Sequence, residues 1–365
     1  ASEGYKPMLP ADSDKAGQSR YDQLCRLERE LFSWWCTLVF RPEGPQSGGS
    51  MFNNPFSKKP SEGEMSGAMR GFLDCIGKVD KELTSTKGPW FFGDQDYPTM
   101  IDFIYVSHIE RMLASAAFWK GLNLRDKKWG LNGLNAWLEA FEKREGYLAF
   151  KSDYFTHVMD IPPQYGPGYN GGFEKDQKAI AQSIIGKDGS WHLPLSFDDP
   201  FQPLYKGSPL PLCVLEAMEL KPDSEGKYES ADPKVMEKAC RYMAAWKLSG
   251  NGVNVSRFAA RGGPKGASNP RKTFGAQLAD PYANPDDESQ PYVDAALRVV
   301  VSALLDDESP DNHKESLVAV VPPKQVDGVK SSLAYLRDRI GVPRDLPLAA
   351  ARYLRAYLNW GIDAL

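Results

Sequence analysis

The stretch Trp90-Phe91-Phe92-Gly93-Asp94-Gln95-Asp96-Tyr97-Pro98-Thr99-Met100-Ile101-Asp102 decides how this 365-residue chain is read. A Gly-containing turn leads into a hydroxyl residue, and a carboxylate follows three positions later at the mouth of an apolar segment. Thr99 is placed to accept the backbone N–H of Asp102, while the Asp102 side chain reaches back to the N–H of Thr99. That reciprocal pair is a capping box, and it satisfies two donors that a helix start otherwise leaves without partners. Asp102 also sets a negative charge at the positive end of the helix dipole. The expectation for Thr99 and Asp102 is therefore structural: they hold a helix start and perform no chemistry.

Helices extend outward from this point in both directions. Upstream, Tyr21, Leu24, Leu27, Leu31, Trp34 and Leu38 recur at three- and four-residue spacing and predict a long amphipathic helix over 16–40. The adjacent Trp34 and Trp35 point to different faces of it. Residues 41–62, rich in Gly, Pro, Ser and Asn, read as a loop. Met65, Met69, Phe72, Ile76, Val79 and Leu83 mark a second helix that Gly88-Pro89 ends. Downstream of the Thr99 cap, a third helix is followed by a fourth over 131–144, with Leu134, Trp137, Leu138 and Phe141 in register. Residues 146–172 carry so many Pro and Gly that irregular structure and a domain boundary are expected. Helices return over 173–185, 212–220, 233–248, 253–260, 292–305, 326–340 and 348–364. Polar or proline-rich linkers at 186–209, 221–231, 262–290 and 306–325 separate them. The chain thus reads as all-α, with a helical domain at 1–160 and a helical extension at 161–365.

Bulk properties narrow the function classes. The apolar and charged fractions, 42% and 25%, are those of an ordinary globular protein, and the net charge of −4 speaks against wholesale nucleic-acid binding. No apolar run reaches the roughly 18–20 residues that span a bilayer. The chain opens on Ala1 without an initiator Met or a signal-peptide pattern, which leaves room for a leader or an upstream segment. The five cysteines form no C-x-x-C pair and read as reduced thiols. The four histidines are scattered with no ligand spacing, so no metal site is expected.

The segment YKPMLPADSDKAGQSRYDQL (5–24) resembles the interdomain linker and first long helix of the C-terminal domain of glutathione transferases. WFFGDQDYPTMIDFIYVSHIERM (90–112) resembles the capped-helix signature of the same domain, with Ile101 standing where that family usually has Ala. The resemblance runs from about Tyr5 to Phe155. It extends to transferase-like proteins of algae, plants and cyanobacteria through IERMLASAAFWKGLNLR, KSDYFTHVMDIPPQYG and VPRDLPLAAARYLRAYLNW. It implies a glutathione-transferase C-terminal-type bundle in a chloroplast or other plastid. It also implies a pocket for a small hydrophobic ligand along the first helix, at Arg20, Tyr21, Cys25 and Arg29, although core or interface packing of Tyr21 and Cys25 and solvation of the arginines is the simpler account of these residues.

In that family the residue holding the thiol of glutathione lies on a thioredoxin-like domain preceding the linker. No position of this chain matches it, so no catalytic residue is assigned and no cofactor is expected here; glutathione enters only with such a domain upstream. Two functions follow. One is a non-catalytic binding or assembly module, a subunit of a larger photosynthetic or organellar complex, acting through a protein partner or a homodimer. The other is the C-terminal part of a glutathione-dependent transferase or reductase. A last candidate comes from Tyr154, His157 and Tyr165, in a stretch dense in aromatics and Pro, which read as a binding loop or as a strap for the extension.

Overall fold

The computed structural model describes residues 6–42, 65–93, 96–196, 199, 201, 216, 219, 233–266 and 284–365. Most of the helix expected over 212–220, the linker expected at 221–231, and much of the loop at 41–62 and of the linkers expected at 186–209 and 262–290 lie outside them. Among the described residues there are thirteen α-helices, a few short 3-10 turns and no strand, so the fold is all-α. The chain forms two compact units, Ala1–Arg144 with Ile161–Gln182, and Glu145–Asp160 with Ser183–Leu365.

The first unit is built on α1 (Lys15–Phe40), α2 (Gly67–Thr84), α3 (Met100–Lys120) and α4 (Asn132–Glu142). Asp14 caps α1 by accepting the Gly17 N–H at 2.8 Å, and Ser66 caps α2 through the Met69 N–H at 3.2 Å. The periodic residues supply the core: Leu24, Leu31, Trp35 and Leu38 of α1, Met69, Phe72, Ile76 and Val79 of α2, and Ile109 and Met112 of α3 are all buried, and α1 packs against both α2 and α3. The two tryptophans divide their work. Trp35 is fully buried and donates to the Ser115 hydroxyl at 2.7 Å, while the Trp34 ring lies over Gly71, where a Cβ would sit 2.4 Å from it.

The α3 helix ends at Gly121, whose φ of +66° is left-handed backbone. A Cβ there would stand 2.6 Å from the Gln177 nitrogen and 2.7 Å from the Phe173 carbonyl, both rigid main chain. Gly121→Ala is therefore expected to cost about 2–3 kcal/mol from left-handed strain and overpacking together. Urea unfolding checks this, and a loss under 0.5 kcal/mol would refute it.

Two expectations need correction. Within 146–172 the chain forms α5 (Glu145–Leu148) and α6 (Tyr154–Tyr165), with Pro162 and Pro163 inside α6. A proline in a helix interior removes a donor and costs about 3 kcal/mol. Here both fall in the last turn, and the start is well secured. The Asp153 carboxylate accepts the Thr156 N–H at 3.0 Å, and Phe155, Val158 and Ile161 are buried at helical spacing. The linker expected over 306–325 holds a further helix, α11 (Lys314–Val320), because Leu317 and Val321 are apolar one turn apart and buried.

The second unit includes α8 (Pro233–Ser249), α9 (Gly252–Ala259), α10 (Gln290–Leu305), α11, α12 (Val326–Arg337) and α13 (Leu348–Ala364); α7 (Glu174–Ile184) carries the chain into it. Its core is formed by α10, through Val293, Ala296, Leu297, Val300 and Leu304, and by α13, buried on nearly every side.

Candidate functional site

The capping box forms as the spacing predicts. The Asp102 carboxylate accepts the Thr99 N–H at 2.8 Å and the Thr99 hydroxyl at 3.0 Å. It accepts two more donors that local spacing does not foretell, the Phe91 N–H at 3.2 Å and the Trp137 indole N–H at 2.9 Å. One carboxylate thus fastens the start of α3, the preceding turn and α4. Burial pushes the Asp102 carboxyl above its ordinary value, outweighing the hydrogen bonds that favour the charged form.

The four positions proposed along α1 separate into different roles. Arg20 pairs with Glu82 at 2.9 Å and donates twice to the Phe91 carbonyl, at 3.3 and 3.1 Å. With Asp102 on its N–H and Arg20 on its carbonyl, Phe91 is held from both sides, so Arg20 belongs to the scaffold. Tyr21 and Cys25, one turn apart, are half-buried and interact with each other. Burial raises the Cys25 thiol, more than the Tyr21 hydrogen bond lowers it. A thiol held in its protonated form is a poor nucleophile.

Arg29 lies in a cluster the sequence reading passed over. Glu28, with a side chain 3% exposed, accepts from Arg29 Nε at 2.5 Å and from Arg29 Nη2 at 2.7 Å. Its Oε1 also meets His108 Nδ1 of α3 at 2.6 Å. Burial raises the Glu28 carboxyl, but the hydrogen bonds from His108 and Arg29 outweigh it and hold it below its ordinary value. An ionised Glu28 only accepts, so His108 Nδ1 is the donor in this contact. The 3.5 Å approach of Arg29 Nη2 to His108 Nδ1 is then a contact between two donors. The Phe32 ring lies beneath both groups, 4.9 Å from the Arg29 guanidinium and 5.1 Å from the His108 ring. Tyr165 completes the aromatic surround against Phe32, Trp35 and Phe40. A glutamate at position 28, on the buried face of α1, was the available signal; the partner 80 residues away was not.

Tyr154, His157 and Tyr165 are helical residues of α6 and do not form a loop. Tyr154 and His157 belong to the second unit and Tyr165 to the first. Tyr154 faces Phe201 at 5.9 Å, and the His157 N–H follows the Asp153 cap into the helix. Among the described residues, no three His, Cys, Asp or Glu side chains converge in a way that could hold a metal. No helix among them is long and apolar enough to cross a membrane.

The second unit hides its charge in α13. Arg355, wholly buried, donates to Asp153 at 2.6 Å and to the Ile340 carbonyl at 2.6 Å. Its guanidinium sits 4.6 Å from the Phe155 ring and 4.9 Å from the Trp191 ring. Burial would raise the Asp153 carboxyl, but the Arg355 charge overrides it and holds the group below its ordinary value. One turn earlier, Arg352 donates to the Ser196 carbonyl at 3.0 Å and lies 3.8 Å from Asp199.

No family model, curated protein or solved structure matches the chain. Among the described residues the fold is all-helical and divides into two units, with Asp102 buried in the first and Asp153 in the second.

Proposed function

We propose that this chain is a non-catalytic binding or assembly module with a glutathione-transferase C-terminal-type bundle in its first half. It acts through a protein partner or a second copy, as a subunit of a larger plastid or organellar complex. The observation that carries this reading is the employment of the Asp102 carboxylate. The most telling group of the 90–102 signature is saturated by Thr99, Phe91 and Trp137, so it stabilises architecture and leaves nothing for a substrate. Supporting it, Arg20 is spent on Glu82 and Phe91, and Cys25 keeps its proton.

Titration calorimetry with reduced glutathione at pH 7.5 tests the proposal on the 365-residue chain. The expected result is no saturable heat. A clear saturable isotherm would overturn the non-catalytic reading and favour a glutathione-dependent transferase.

A further inference from the structure

We infer that the corner where α8 turns into α9 docks on the surface of an anionic lipid bilayer, a contact separate from the protein partner proposed above. Charge is the first observation. The chain as a whole carries −4, yet from Lys238 to Gly266 it holds Lys238, Arg241, Lys247, Arg257, Arg261 and Lys265 and no Asp or Glu. The structure divides these cations by their employment. Lys238 and Lys265 are paired with Asp307 and Glu288, and Arg241 is buried against the Leu304 and Asp306 carbonyls. Lys247 and Arg257 are exposed, and Arg261 lies 5.2 Å from the Phe258 ring. Among the described residues, no carboxylate comes within ion-pair distance of these last three.

The second observation is the apolar content of the same corner. The α8 helix ends at Ser249 and α9 begins at Gly252, so only Gly250 and Asn251 separate them. Trp246, in the last turn of α8, is 49% exposed, and Val253, in the first turn of α9, is 67% exposed. The α9 helix buries Ser256 and Ala259, which leaves Val253 and Arg257, four residues apart, together on its outer face. Lys247 follows Trp246 directly. The corner thus presents two apolar side chains to solvent with a cation near each. Indole rings, aliphatic side chains and Lys or Arg in this combination are the chemistry of the headgroup layer of a membrane.

Size and chemistry decide between a bilayer and a macromolecular partner. A specific protein interface buries at least about 1,000 Å² around a packed apolar core, more than two side chains at a turn supply. A nucleic acid would engage the cations through its phosphates, and Trp246 through a base, but gains nothing from an exposed valine. A bilayer accepts a small apolar wedge and adds the attraction of its anionic surface cation by cation, about fivefold in partition for each Lys or Arg. Exposed apolar groups rimmed by charge are accordingly read here as a membrane contact.

Sedimentation of the full chain with sucrose-loaded vesicles tests the inference. One set is phosphatidylcholine with phosphatidylglycerol at about one lipid in three, and the other is phosphatidylcholine alone. The chain should bind the anionic vesicles at least tenfold more strongly than the neutral ones. Raising NaCl from about 0.1 M to about 0.5 M should weaken that binding at least fivefold, because salt screens exposed charges. The double variant Lys247→Gln, Arg257→Gln should bind at least tenfold more weakly, and Trp246→Ser, Val253→Ser at least fivefold. All four side chains are exposed, so both variants should keep the melting temperature of the parent, which separates a lost contact from a lost fold. No binding to either vesicle, equal binding to both, or full binding by Lys247→Gln, Arg257→Gln overturns the inference. Full binding by Trp246→Ser, Val253→Ser overturns the apolar wedge. Binding to a single-stranded oligonucleotide that needs Lys247 and Arg257, with none to vesicles, overturns the bilayer in favour of a nucleic acid.

Discussion

Asp102→Ala is expected to destabilise the first unit by about 3–9 kcal/mol, because it leaves three buried N–H donors, those of Thr99, Phe91 and Trp137, without an acceptor at about 1–3 kcal/mol each. A loss of that size is comparable to the whole stability of many domains, which run to about 5–15 kcal/mol. The variant should therefore accumulate poorly or unfold at a much lower urea concentration. Asp102→Asn is the milder probe. Its amide nitrogen can stand where the Thr99 hydroxyl turns to face it, but the Thr99 N–H then loses its acceptor, for a cost of about 1–3 kcal/mol.

The two substitutions also differ from the parent in pH dependence. Burial raises the Asp102 carboxyl in the folded state. A raised carboxyl favours folding fully below the unfolded value, about 3.9 for Asp. That contribution is lost as pH climbs through the folded value. Asp102→Asn has no such titration. The stability gap between parent and Asp102→Asn should accordingly narrow as pH rises through that window, as read by urea midpoints at several pH values. A gap that widens would mean the ionised form is the one the site prefers.

How much of this was legible beforehand depends on the range of each interaction. The Thr99–Asp102 box is a three-residue pattern, so its existence and its structural role were readable. The second half of the Asp102 arrangement, its hold on Phe91 and Trp137, depends on tertiary placement and left no local mark. The long amphipathic helices were readable because their apolar spacing is strict, as in α1 and α10. The helix over Tyr154–Tyr165 was missed because Pro162 and Pro163 outweigh local propensity, whereas the Asp153 cap and buried Phe155, Val158 and Ile161 outweigh the prolines. Arg20 and Arg29 looked alike in sequence, yet one meets Glu82 and the Phe91 carbonyl while the other joins Glu28 and His108. Their partners lie at least 62 residues away along the chain, except for Glu28, which adjoins Arg29. In α13, Arg352, Arg355 and Asn359 recur at helical spacing in an otherwise apolar run, a visible polar stripe that spacing alone assigns to solvent. In the structure it faces inward.

Arg355→Met should cost the second unit about 3–5 kcal/mol, the usual penalty for removing one partner of a buried ion pair. The Met side chain refills much of the space between Phe155 and Trp191, so the loss reports charge more than volume. It strands the Asp153 carboxylate, which is wholly buried, and leaves the Ile340 carbonyl without its donor. The sign of the pH dependence distinguishes this from a packing defect. In the parent, Asp153 is held below its ordinary value, so its contribution is present above the unfolded value, about 3.9, and is lost as pH falls through the folded value. In Arg355→Met the same carboxyl has burial without a counter-charge, and its folded value rises above the ordinary one. The stability of the variant should then fall as pH rises through that window, opposite to the parent. Adding Asp153→Asn to Arg355→Met removes the stranded charge while keeping an oxygen to accept the Thr156 N–H at the start of α6. The double variant should recover at least about 1–2 kcal/mol relative to Arg355→Met, a coupling typical of residues in direct contact. No recovery, together with an unchanged pH slope, would show that the site depends on the shape of the guanidinium between its two rings and not on its charge.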